Sequence, residues 1–232
     1  MGNSTDLNKS GLYRAGGVSA LVLGISYIII TVLYVIGGAL PGGVEEWLRH
    51  LAGHTDEWWS ILGLSVLTDV LFLPVGWSIY TALKELDKNA AFAGVSFLVL
   101  FVVLDMAVTW PNYAALIDLG RKYAAAVDDS QRLALVAAAT EVLSSKLFGI
   151  YTILMPSLGI LIIGTVMLKG IFGKAAGFLG IVTGIIGIVS AVGPFFVSFL
   201  GMAVVITSVL TLTWLLLVGC KLIQLSRRKI YS

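Results

Sequence analysis

The chain has 232 residues, of which 58% are hydrophobic and only 12% charged, with a mean hydropathy of +0.98. A water-soluble domain carries about 25% charged residues, and no core in so short a chain could hide this much apolar surface, so lipid is the solvent. The formal net charge of +2 is small and by itself says little about partners, and no phosphate loop, nucleotide fingerprint, GxSxG nucleophile motif or nucleic-acid-reading pattern occurs.

The first apolar stretch, Val18 to Leu40, exceeds the ~7–15 residues of a signal-peptide core and no A-x-A site follows, so it reads as a membrane span. Met1-Gly2 begins like a myristoylation signal, but Asp6 stands where Ser or Thr is wanted. A helix crosses the hydrocarbon in about 20 apolar residues. Six stretches qualify, at about 17–40, 59–83, 91–110, 147–168, 175–193 and 198–221. None alternates as barrel strands would. The expected fold is therefore an all-α membrane protein with six spans in a single domain covering residues 1–232.

After span one, "GGVEEWLRHLAGH" puts Val44, Leu48 and Leu51 on one helical stripe, away from Glu45, Glu46 and Arg49. This predicts a short amphipathic helix lying on the membrane surface. His50 and His54 follow at i, i+4, a spacing that can bring two imidazoles to one metal ion. There is no HExxH motif, and further ligands would have to come from Asp69 or Asp105 deep in the bundle.

Span two carries Asp69 in "LSVLTDVLFLPVGW", near the bilayer midplane, with Ser65 one turn before it and Pro74 beyond. Span three carries Asp105 about five residues below Trp110, with Thr109 and Asn112 continuing its stripe. The two depths differ by only a few ångströms at ~1.5 Å per residue. A charge in mid-bilayer costs at least ~2.5–3.5 kcal/mol on insertion scales, and such residues face the bundle interior. Both carboxylates are therefore expected to point inward on neighbouring antiparallel helices.

The next segment is alanine-rich and predicts two outer helices, about 113–127 and 129–146. Asp128 can cap the second, whose third position is Gln131, and that helix is expected to run on into span four. Together the pair forms an outer cap, or a plain elbow between spans. Lys146, at the top of span four, is the nearest expected counter-ion to the aspartates, and Pro156 bends that span.

In span five Gly173, Gly177, Gly180, Gly184 and Gly187 recur at spacings of four, three, four and three. Such a stripe lets another helix approach closely. Two uses fit: a contact within the monomer, or a homodimer through span five. Span six places Thr207, Ser208 and Thr211 hydroxyls toward the polar interior and Cys220, the lone cysteine, as a buried structural thiol.

Positive charge sets the orientation. With the N terminus inside, the inner segments hold Lys9, Arg14, Lys84, Lys88, Lys169, Lys174, Lys221, Arg227, Arg228 and Lys229, against Arg49, Arg121, Lys122, Arg132 and Lys146 outside. Both termini are expected in the cytosol, with Trp47, Trp58, Trp59 and Trp110 at the outer interface.

Three segments, "GLYRAGGVSALVLGISYII", "DVLFLPVGWSIYTAL" and "YAALIDLGRKYAAAVDDSQRLALVAAATEVL", resemble a prokaryotic family of six-helix membrane proteins known as a domain of unknown function, the "forty-three eighty-six" DUF family. The resemblance covers residues 11–195. It implies six spans in a bacterial or archaeal cytoplasmic membrane, and carries over no catalytic residue and no cofactor.

Three roles fit the inward carboxylates: structural glue, a ligand pocket opening outward beneath the cap, and a proton or cation relay. The functional expectation is a non-enzymatic protein that binds or transports a small or lipid-like molecule near Asp69, Asp105, Lys146, Ser65, Thr109 and Asn112. The alternatives are an intramembrane metal-dependent hydrolase using His50 and His54, and a structural or sensory membrane partner.

Overall fold

The computed structural model describes residues 4–37, 42–144 and 150–228. Among the described residues there is no strand. The described residues form nine α-helices: α1 (Ser4–Gly37), α2 (Val44–Gly53), α3 (Thr55–Leu83), α4 (Lys88–Leu104), α5 (Trp110–Ala125), α6 (Asp129–Leu143), α7 (Ile150–Met167), α8 (Lys174–Val192) and α9 (Ala203–Arg228). Six helical segments are long and apolar enough to cross a membrane. This follows from the solvent: lipid offers no partner to an open backbone group, so each segment closes its hydrogen bonds on itself.

The spans form a ring in chain order. α1 packs on α3, α3 on α4, α4 on α7, α7 on α8, α8 on α9, and α9 returns to α1. The closing seam is tight because Gly17 faces the Gly219 carbonyl, and at the terminal end the Ser10 hydroxyl donates to the Ser226 carbonyl at 2.8 Å. Trp214 on α9 is fully buried among Leu23, Phe72, Ile160 and Leu215 and fills the centre.

At the other end α2, α5 and α6 build a cap. Its first helix differs from expectation. Span three does not stop near residue 110; α4 passes through a π-helical turn, Asp105–Thr109, directly into α5. The continuous segment Lys88–Ala125 has 38 residues. At ~1.5 Å each it is about 57 Å long, well beyond the ~30 Å hydrocarbon thickness, so its last turns stand clear of the bilayer. The second cap helix begins as expected: the Asp128 carboxylate accepts from the Gln131 backbone N–H at 2.7 Å. Its predicted run into span four falls on residues outside those described.

Three further expectations are corrected. The apolar stripe of α2 does not lie against lipid. Leu48 and Leu51 are buried by α5, where Gly120 sits so close to the Leu48 carbonyl that a Cβ would come within 2.9 Å. Trp58 is not an interfacial ring; at 4% exposure it lies in a second apolar cluster under the cap, with Ile61, Leu116 and Ile117. Cys220 is exposed on α9, on a face that no other helix covers, rather than buried.

The glycine stripe is used within the chain. Gly177, Gly180, Gly184 and Gly187 line the α7 contact, and Gly180 also meets the Trp214 ring. A Cβ at Gly184 would come within 2.5 Å of Leu161 Cβ and 2.7 Å of the Ser157 carbonyl. The exposed face of α8 carries Phe178, Val182 and Ile185 instead. Gly173 does not belong to this seam: nothing lies near it, and it caps α8 at φ +85°, a conformation that favours glycine.

Candidate functional site

Pro111 explains the geometry of the site. Proline has no N–H and its ring crowds the carbonyl four residues back. One turn earlier the helix widens: the Trp110 N–H reaches the Asp105 carbonyl, five residues away. Such π turns re-aim side chains and recur at functional sites. Here the widening turns Asp105, Thr109 and Trp110 toward α3 and α7.

Asp69, on α3, is 0% exposed and Asp105 is 3% exposed. The Trp110 indole N–H donates to Asp69 Oδ2. Asp69 Oδ1 is buried and has no hydrogen-bond partner among the described residues. The Thr109 hydroxyl donates to Asp105 Oδ1 at 2.6 Å and lies 3.0 Å from the Tyr151 hydroxyl on α7. The two carboxylates are near enough to interact electrostatically, and the Tyr27 phenol of α1 adjoins Thr68 beside them. Both carboxyls lie inside the bundle rather than on its lipid-facing surface, one on α3 and one in the turn that follows α4.

Aromatic rings link this cluster to the cap. Tyr113 lies 5.9 Å from Trp110 and stacks on Trp58 at 6.0 Å, centroid to centroid. Trp58 in turn meets Tyr34 edge-on at 5.5 Å and forms one wall of a small cavity that Tyr34, His50, His54 and Glu57 also line. That cavity, about 10 Å³, has room for a single water molecule.

Of the expected site residues, Asp69, Asp105, Ser65 and Thr109 are buried together and Asn112 is half-buried one turn further along α5. Lys146 lies outside the described residues. Two of the span-six hydroxyls do not join the site: Thr207 and Ser208 donate to their own helix, to the carbonyls of Ala203 and Val204. Trp110, Tyr27, Thr68, Tyr113 and Tyr151 escaped the sequence reading. The signal for Trp110 was Pro111 directly after it.

His50 and His54 stack on one another at 4.6 Å, with His54 Nδ1 3.1 Å from the His50 carbonyl. Burial, then the His54 ring, holds the His50 imidazole below its usual range. From His54 to Asp69 is fifteen positions along α3, about 22 Å, so histidines and aspartates do not form one centre. Among the described residues no group of three or more His, Cys, Asp or Glu side chains is arranged to hold a metal ion.

No curated protein and no solved structure matches the chain significantly. The profile of a family described as "Domain of unknown function (DUF4386)" matches residues 22–219. The match extends well into α9, further than the segments that carried the resemblance. Six membrane-crossing helices and a match over most of the chain agree: this is a multi-pass membrane protein and a member of the DUF4386 family.

Proposed function

We propose that this protein binds, and in doing so carries or senses, a small or lipid-like molecule at the Asp69–Asp105 cluster. The aromatic rings of Trp110, Tyr113 and Trp58 link the site to the cap, the end that the bias of Lys and Arg favours for the outer side of the membrane. The single observation behind this reading is Asp69 Oδ1, a carboxyl oxygen wholly buried and without a partner among the described residues. Leaving such an atom unmatched costs about 1–3 kcal/mol, more when it is charged. A ligand donor that meets it recovers that loss.

The test is native mass spectrometry of the full chain in mild detergent. Wild type is expected to retain a bound small molecule or lipid that Asp69→Asn loses. Identical, bare masses for both proteins would sink the reading. Structural glue is the second reading, favoured by the Trp110–Asp69 and Thr109–Tyr151 contacts, each of which joins two helices. It is distinguished by Asp69→Asn lowering thermal stability with no mass to lose.

A further inference from the structure

We infer that the ligand of this site is a protonated amine. The inference rests on the proposal that Asp69 is a ligand group and names the chemistry of what it holds.

Charge comes first. Among the described residues the donors that reach the two buried carboxylates are neutral, an indole N–H and a threonine hydroxyl. The ion pairs among the described residues are Arg49–Glu45, Lys122–Asp118, Arg132–Asp129 and Lys169–Asp87, all away from the site. Wherever one of these buried carboxyls is ionised, a poorly polarisable interior strongly favours a cation beside it.

The donor set then selects the kind of cation. A hard metal ion demands about six oxygen ligands; two of the four carboxylate oxygens are already engaged by Trp110 and Thr109, and among the described residues no group of three or more His, Cys, Asp or Glu side chains is arranged to hold a metal ion. An ammonium group brings its own N–H donors, up to three. One N–H to Asp69 Oδ1 satisfies the orphaned atom.

The walls complete the match. Trp110 meets Asp69 through its N–H edge, Tyr113 packs on Trp110, and the Tyr27 phenol of α1 adjoins Thr68 next to Asp69. Aromatic faces within about 6 Å attract a cation, more so once water is excluded. Tyr27 also packs against the aliphatic core, which offers an alkyl chain an apolar surface beside the charged head.

The experiment titrates the full chain in lipid nanodiscs at neutral pH with butylammonium, with butanol and with sodium, at matched ionic strength. Thermal unfolding and tryptophan fluorescence are followed. Butylammonium is expected to raise the melting temperature saturably and to shift the emission, at concentrations at least about tenfold below those butanol needs, a free-energy preference of about 1.4 kcal/mol. Sodium is expected to do neither, and Asp69→Asn to remove the preference for the amine. The amine reading is overturned if butanol matches butylammonium in wild type, if sodium alone reproduces the effect, or if Asp69→Asn keeps the preference. The comparison of amine with alcohol is made on wild type, so it stands even where the variant does not fold. If alcohol and amine bind equally and Asp69→Asn weakens both, Asp69 remains a ligand group and only the amine assignment fails. If no probe has an effect and the purified protein carries no extra mass, both fail.

Discussion

At the scale of single residues, the Trp110 indole and the Asp69 carboxylate depend on one another. Replacing Trp110 by Phe keeps an aromatic ring but leaves Asp69 with both oxygens unmatched. Trp110→Phe is therefore expected to destabilise the protein by about 1–3 kcal/mol, read as a lower melting temperature in nanodiscs; an unchanged melting point would refute the contact. His50 makes a different prediction. Burial and the neighbouring His54 disfavour its charged form in the folded cap. The unfolded side chain takes up a proton near pH ~6.5, whereas the folded one resists until lower pH. Its stabilising contribution is thus complete above the unfolded value and is lost as pH falls through the folded one. Hydrogen exchange of the α2 amides should quicken from about pH 7.5 to about pH 5, beyond the intrinsic pH effect, and His50→Gln should flatten that rise. Glu57 and Tyr34, which line the same cavity, remain in the variant as the internal control.

At the scale of elements, composition dictated more than periodicity could refine. The six spans were legible because apolar length is a property of the residues themselves. So was the cap on α6, since Asp128 and Gln131 stand at the right spacing. The π turn was not legible: it arises from a conflict between Pro111 and the helix before it, resolved by a change of register that hydropathy does not record. The inward carboxylates could be read from their cost, but their partners depend on how that register turns Trp110 and Thr109. The glycines divide in the same way. Their spacing announced a close contact, while only packing identified α7 as the neighbour and detached Gly173 from the stripe. Gly184→Leu must push backbone and Leu161 aside. It is expected to cost at least the ~1–3 kcal/mol of an overpacked core. Gly63, exposed on α3 with no atom near a Cβ, is the matched control. There Gly63→Ala is expected to stabilise by roughly 0.5–1 kcal/mol through the helix backbone. Equal effects at the two positions, measured by thermal unfolding, would rule out the α7–α8 seam.

At the scale of the whole molecule, everything said about an outward pocket turns on which end of the ring faces the cell exterior. The ring geometry alone is indifferent to this, since α1 and α9 bring both termini to one end and the cap to the other in either orientation. The sequence favours one choice: ten Lys and Arg residues fall in the segments expected inside and five in those expected outside, and the richer side is expected to be cytoplasmic. Cys220, the only cysteine, can be removed as Cys220→Ser to leave a thiol-free background. Val127, in the turn between α5 and α6, is 93% exposed and offers a labelling position on the cap. In that background Val127→Cys should react with a membrane-impermeant maleimide in intact cells, whereas a cysteine replacing the exposed Arg227 should react only after lysis. The reverse pattern would turn the cap toward the cytosol. Asp69 would then be approached from inside, and any amine it holds would have to come from the cell rather than its surroundings.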